Sequence, residues 1–314
     1  MKINEKKVMI KGNFNIATTV TYEDENKKYP AVVLIMGTGK LDRDGNGFGF
    51  KSNLYKDLAE SFAGCGFVTA RYDKRGTHHS GGSFKKAGLS DLVNDAISVV
   101  RYLKKQPYVD EKRIIVCGHS EGSMIATLLA EKEDVAGLIL LGGAGMNMKD
   151  ALYYQNRLVA EDIPNLKGLT AALMKKTFDI DKQLAAVDEL FEKSAKTDKD
   201  TVFMKGASMP AKWIREHSAY TSAGFAKKVI DFGRPVLAVT GKADVQADYR
   251  FLEAFEGAEN VECHTPEKLN HILRDNYGDN SVLNIKKQYR RLIGEPISSE
   301  LLTIMREWLQ NFSE

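Results

Sequence analysis

The stretch Ile114-Ile115-Val116-Cys117-Gly118-His119-Ser120-Glu121-Gly122-Ser123-Met124 constrains this chain more than any other. Its apolar, β-branched opening reads as a buried strand. A helix-forming run, Ile125-Ala126-Thr127-Leu128-Leu129-Ala130, follows almost at once. Only a sharp reversal can join the two, and Gly-x-Ser-x-Gly supplies it. Gly118 and Gly122 lack the Cβ atoms that would collide where strand and helix converge. A serine on so tight a turn carries its hydroxyl above the sheet. The amide of Glu121, at the helix start, can point at developing negative charge. Ser120 is therefore the candidate nucleophile, against the plainer reading of a small residue filling a tight turn.

The rest of the first half repeats one rhythm. Residues 6–22 alternate around Gly12-Asn13, which predicts two antiparallel strands. Ala31–Met36, Phe67–Tyr72, Ile114–Cys117 and Val135–Leu141 are continuous apolar runs separated by helical patterns. That alternation predicts an α/β fold, with a mostly parallel sheet covered by helices on both faces. Gly37-Thr38-Gly39-Lys40 follows the first of these runs, but it matches neither Gly-x-x-x-x-Gly-Lys-Ser/Thr nor Gly-x-Gly-x-x-Gly. Nucleotide binding is set aside.

From about 144 to 232 the rhythm changes. Scattered apolar residues lie among many Lys, Asp and Glu, with no clear strand until 235. This reads as a helical insertion of nearly 90 residues, dividing a core of 1–143 and 233–314. The sheet resumes at Val236–Thr240. A helix near 247–256, a strand near 260–264 and a terminal amphipathic helix near 298–311 are expected after it.

A serine hydroxyl needs a base, and the base needs an orienting carboxylate. In a doubly wound sheet these lie at the C-terminal ends of later strands. Asp244 follows the 236–240 strand, and His271 follows the last strand. Among six histidines, His119 adjoins Ser120 and points elsewhere, His217 falls in the insertion, and His264 belongs to a strand. His78 and His79 lie in an early loop, where they are candidates for the pocket mouth. Asp248 rivals Asp244 for the carboxylate. Thr38 is the candidate for a second oxyanion amide, because Gly37 and Gly39 let that backbone approach an acyl oxygen. Asp42, Arg43, Asp44, Asp73 and Arg75 read as ion pairs that tie loops down. Tyr153 and Trp213, from the insertion, are candidate substrate contacts.

Composition narrows the partners. The chain has 314 residues, 43% of them hydrophobic, and a net charge of only +3, which argues against nucleic acid. It has no run of 18 apolar residues and no apolar stretch behind the basic N-terminus, so neither a membrane span nor a signal peptide is expected. Three widely spaced cysteines, Cys65, Cys117 and Cys263, fit reduced thiols in a cytoplasm. No cofactor or metal is called for. The partner expected is a small-molecule acyl substrate, and the oligomeric state stays open, a homodimer included.

Taken together, Met36-Gly37-Thr38-Gly39, Asp42-Arg43-Asp44-Gly45, Arg71-Tyr72-Asp73-Lys74-Arg75-Gly76, Gly118–Gly122, Gly241-Lys242-Ala243-Asp244 and Asn270-His271 resemble the serine α/β-hydrolases, in their bacterial esterase and prolyl-oligopeptidase-like branch. The resemblance implies the α/β-hydrolase fold and the set Ser120, Asp244 and His271. It also implies that 144–232 caps the active site. Met36 departs from the histidine that relatives often carry there, and Glu121 from the usual Gly or Gln. Neither change removes a catalytic atom. The implied activity is cleavage of short- to medium-chain acyl esters. An acyl-CoA thioesterase, an aminopeptidase-like amide hydrolase and a non-catalytic ligand-binding module of the same fold are the alternatives.

Overall fold

A computed structural model describes residues 3–204 and 206–313. In chain order its strands are β1 (Asn4–Lys11), β2 (Asn15–Tyr22), β3 (Tyr29–Ile35), β4 (Asn46–Gly47), β5 (Phe50–Lys51), β6 (Val68–Tyr72), β7 (Val109–His119), β8 (Gly137–Leu141), β9 (Val202–Met204), β10 (Ala207–Met209), β11 (Val236–Val239) and β12 (Val261–His264). The helices are α1 (Leu54–Gly64), α2 (Leu89–Lys104), α3 (Glu121–Ala130), α4 (Met148–Asp162), α5 (Leu169–Thr177), α6 (Ile180–Ala195), α7 (Ala211–Ser218), α8 (Ser222–Asp231), α9 (Ile285–Leu292) and α10 (Ser299–Leu309).

Eight strands form one sheet in the order β1-β2-β6-β3-β7-β8-β11-β12. The β1–β2 and β2–β6 pairs are antiparallel, and every pair from β6 to β12 is parallel. Period-2 alternation divides the apolar residues between two layers. Val33, Ile35, Val116, Leu138 and Ala238 pack with α2, α3 and α8 on one face. Val32, Leu34, Ile115, Cys117, Ile139 and Leu237 pack with α1 and α10 on the other. The continuous apolar runs are thus explained by strands buried on both sides. The mostly parallel sheet covered on both faces is what the alternation of elements predicts, and it matches the α/β-hydrolase fold that the resemblance implies.

The sheet order also fixes where a site can form. After β3 the chain moves outward to β6, and after β7 it moves the opposite way to β8. The crevice above the ends of β3 and β7 is therefore a topological switch point. Gly37-Thr38 and Ser120 leave the sheet there.

The inserted region differs from expectation in two respects. A short antiparallel hairpin, β9–β10, interrupts the helices. In addition, Phe225, Ala226 and Val229 of α8 join the same apolar cluster as β3 and β7. Helix α8, capped by the Thr221 side chain, lies within the expected 144–232 insertion and packs into that cluster. Near the C-terminus, the expected 247–256 helix is a 3-10 turn over Tyr249–Phe255, and α9 is an additional helix.

Candidate active site

The elbow is strained in the manner its residues require. Ser120 has φ 56° and ψ −122°, a region a side-chain-bearing residue occupies only at a cost of ~1–3 kcal/mol. The surrounding packing holds it there. A Cβ on Gly118 would lie 2.1 Å from the Gly122 carbonyl oxygen, and one on Gly122 would lie 2.2 Å from that of Ile35. The Ser120 amide donates to Leu141 O at 2.8 Å, and Ser123 Oγ donates to Gly118 O at 3.0 Å. Strand β7, helix α3 and the neighbouring β8 therefore all fix the turn.

Opposite it, His271 Nδ1 lies 2.8 Å from Asp244 Oδ2. The other carboxylate oxygen, Oδ1, accepts from the amides of Gln246 and Ala247 at 2.7 and 2.9 Å. A carboxylate only accepts, so Nδ1 must carry the proton and Nε2 is left as an acceptor. Ser120 and His271 line one cavity of about 370 Å³. The rival carboxylate is committed elsewhere: Asp248 grips Arg250 Nε and Nη2 and accepts from the Arg250 amide.

A buried hydrogen-bond chain ties this machinery together. The Gly37 amide donates to Tyr55 Oη at 2.9 Å, and that hydroxyl lies 2.9 Å from His119 Nδ1. His119 Nε2 in turn lies 2.8 Å from the His271 carbonyl oxygen. A carbonyl accepts, so Nε2 donates and Nδ1 receives the Tyr55 proton. Burial, with His271 and Lys74 nearby, pushes the His119 imidazole down to about 3, keeping it neutral. His119 therefore does not point away from the site. Tyr55 had no signal in the sequence, whereas the histidine next to the serine was a visible hint.

The neutral His119 has a measurable consequence. When the chain unfolds, the imidazole regains its ordinary affinity for a proton, so stability is full above about pH 6.5 and declines as pH falls toward 3. Over that window one such histidine contributes a slope of ~1.4 kcal/mol per pH unit. His217, also buried and lowered, acts in the same direction. Urea unfolding from pH 7 to 4 should therefore show a steep loss, and His119→Gln should flatten it. An unchanged slope in the variant would remove His119 from this account.

The remaining expected contacts divide. Thr38, Glu121 and Trp213 all line the Ser120 cavity. The Glu121 amide opens α3, where the first amides have no partner within the helix. His78 and His79 do not reach this cavity. They line a separate polar groove with Arg43, Arg71 and Asp73. Their loop is folded back on β2 through Ser80 and Gly81, which bond Ala17 and Asn15. Tyr153 also misses: it bonds Asp188 at 2.5 Å and lines an outer pocket. Helix α4 turns Met148, Ala151, Leu152 and Gln155 to the Ser120 cavity at i, i+3, i+4 and i+7 spacing, a face that excludes position 153. The loop ion pairs exist in rearranged form, Arg43 with Asp73, Arg71 with Asp44 and Glu5, and Arg75 with Asp91 and Asp95.

Glu121 also carries an unexpected side-chain role. Its carboxylate is buried, receives Lys74 Nζ at 2.6 Å and Trp213 Nε1 at 2.5 Å, and lies 3.6 Å from His217 Nε2. Burial alone would raise this carboxyl, but Lys74, His217 and the two donors hold it below its ordinary value. The other lining groups are apolar (Leu41, Phe50, Met124, Leu152, Ile272) or neutral and polar (Gln155, Gln246, Tyr289). Among the described residues, no group of His, Cys, Asp and Glu could hold a metal ion, and no helix is long and apolar enough to cross a membrane.

Comparison with known proteins agrees with this fold. The chain is 24% identical over 288 residues to esterase EstD of Thermotoga maritima, covering 90% of this chain and 63% of that protein. It therefore spans less than two thirds of that relative's length. Among solved structures it resembles a ferulic-acid complex of Est1E from Butyrivibrio proteoclasticus, at TM-score 0.59 and 19% identity, over 92% of this chain and 98% of the other. It also resembles the Pyrococcus furiosus esterase Pf2001, at TM-score 0.55 and 15% identity, over 99% and 94% of the two chains. At these identities the solved structures speak for the fold. The family model for serine aminopeptidases (S33) matches residues 45–272, which span the elbow, Asp244 and His271, and the chain belongs to that family of serine α/β-hydrolases.

Proposed function

We propose that this protein hydrolyses short- to medium-chain acyl esters through an acyl-enzyme on Ser120, with the inserted helices capping the site. The observation that carries this reading is the chemistry of the shared cavity. A strained serine and a carboxylate-oriented imidazole open onto about 370 Å³ of mostly apolar space. That volume suits a small ligand.

In this reading Ser120 is the nucleophile and His271 the base. His271 Nε2 takes the Ser120 proton as Oγ attacks the acyl carbon, and Asp244 stabilises the resulting imidazolium. The amides of Thr38 and Glu121 receive the oxyanion. The C–O bond then breaks, and the alcohol leaves with the proton from His271. Water, deprotonated by the same imidazole, attacks the acyl-enzyme and releases the acid and Ser120.

The family description raises the alternative of an aminopeptidase, and one observation weighs against it. A substrate α-ammonium needs a carboxylate free to receive it. Glu121 is the one acidic side chain on the cavity among the described residues, and Lys74 and Trp213 already occupy both its oxygens. A thioester would meet the same apolar lining without that objection. The three unpaired cysteines keep a cytoplasmic setting part of this reading.

A p-nitrophenyl ester series tests it against aminoacyl p-nitroanilides and acyl-CoAs. Each methylene that fits should add ~0.8 kcal/mol of binding, about fourfold in kcat/KM, until the cavity ends and the rate drops. Rates that climb without an optimum, or anilides cleaved faster than every ester, would overturn the esterase reading.

A further inference from the structure

Beside the main cavity lies a second, smaller one of about 90 Å³. That is well above the ~10–15 Å³ that admits one water. Its apolar walls are Phe84, Ala87, Leu92 and Pro210, joined by the Lys74–Glu121 pair. It shares three residues with the Ser120 cavity: Thr38, Glu121 and Trp213. The first two carry the candidate oxyanion amides. Trp213 is the one large side chain common to both spaces.

Its indole is also held firmly. Nε1 donates to Glu121 Oε1, and the ring packs on the His217 imidazole at 4.4 Å between centroids. His217 Nδ1 lies 2.8 Å from the Trp213 carbonyl oxygen, one turn along α7. The other Glu121 oxygen is taken by Lys74, on the loop after β6. A side chain from the insertion is thus fastened to the residue that follows the nucleophile.

We propose that Trp213 is the residue that sets acyl-chain length: its indole is the partition between the acyl site at Ser120 and the small apolar chamber, which a longer alkyl chain enters when the ring is removed. The occupant is an unbranched hydrocarbon chain attached to the acyl carbon, because the chamber shares Thr38 and Glu121 with the Ser120 cavity and most of its lining is apolar. The inference rests on the proposed function, in that it takes Ser120 as the reacting group.

The test uses p-nitrophenyl alkylphosphonates with alkyl chains from methyl to octyl. In each, Ser120 Oγ bonds to phosphorus, p-nitrophenolate leaves, and His271 takes the serine proton. Labelling rates therefore report alkyl fit without requiring ester turnover. Wild type should show a short-chain optimum. Trp213→Ala should move that optimum to longer chains, with at least about a tenfold gain for the longest, as two or more added methylenes become buried. Trp213→Phe keeps most of the ring and loses the bond to Glu121, so the optimum should stay while the rate falls. In the Trp213→Ala background, Ala87→Phe fills the chamber and should restore the short optimum. If Trp213→Ala does not fold, Trp213→Leu replaces it with the same expectation. An unshifted optimum in the truncated variant overturns the partition and leaves the proposed function standing. No labelling of wild type overturns both.

Discussion

Ser120→Ala is expected to abolish fluorophosphonate labelling and to lower turnover by roughly 10³–10⁶-fold. The fold should be unaffected. Alanine keeps the Cβ that serine already holds at φ 56°, so the turn gains no new clash. The bonds that fix the elbow run through the Ser120 backbone and the Ser123 hydroxyl, and both remain. Thermal melting and circular dichroism should match wild type while labelling disappears. A purified variant retaining a tenth or more of the activity would show that the elbow serine is not the nucleophile.

His271→Ala should be nearly as damaging, for a different reason. The serine would remain in place but without a base to take its proton, and the leaving alcohol would have no donor. Residues acting as one unit lose activity non-additively, so Ser120→Ala with His271→Ala should fall no further than either alone. His264→Ala is the control, since that imidazole is part-exposed and bonds Glu262 in the same strand. Its rate should stay within about twofold of wild type, as for a surface change away from the site. Full activity without the His271 side chain, or a double variant far worse than both singles, would place the base elsewhere.

The parts that were legible in the sequence share a cause. Ser120 follows β7 directly, and Asp244 and His271 lie in the loops after β11 and β12, so all three come from the same edge of the sheet. The apolar runs of β3, β7 and β8 announce themselves because both faces are covered. Side-chain partnerships between distant segments carry no such local sign. Tyr55 meets His119 across 64 positions and Lys74 meets Glu121 across 47, and neither separation has a period to betray it. His78 and His79 looked suited to a pocket mouth, yet the bonds that fold their loop onto β2 decide their direction. Tyr153 was misplaced by one helix face, and knowing that α4 points Met148 and Leu152 inward would have excluded it. Helix α8 merged with the insertion because its apolar residues resemble those around it. That Phe225, Ala226 and Val229 share the cluster of β3 and β7 shows only in the fold.

The chain of bonds from Gly37 through Tyr55 and His119 to His271 has a consequence for tolerance to motion. Gly37, in the candidate oxyanion loop, and His271, the candidate base, lie on segments more than 200 residues apart. If each were held by its own surroundings, thermal breathing would change the gap between them. A misplacement of ~1 Å at such a centre can cost about a hundredfold in rate. Here both are tied through one buried imidazole, His119, by way of Tyr55 on one side and the His271 carbonyl on the other. The spacing between the two segments is thereby set by one shared side chain rather than by each segment's own surroundings.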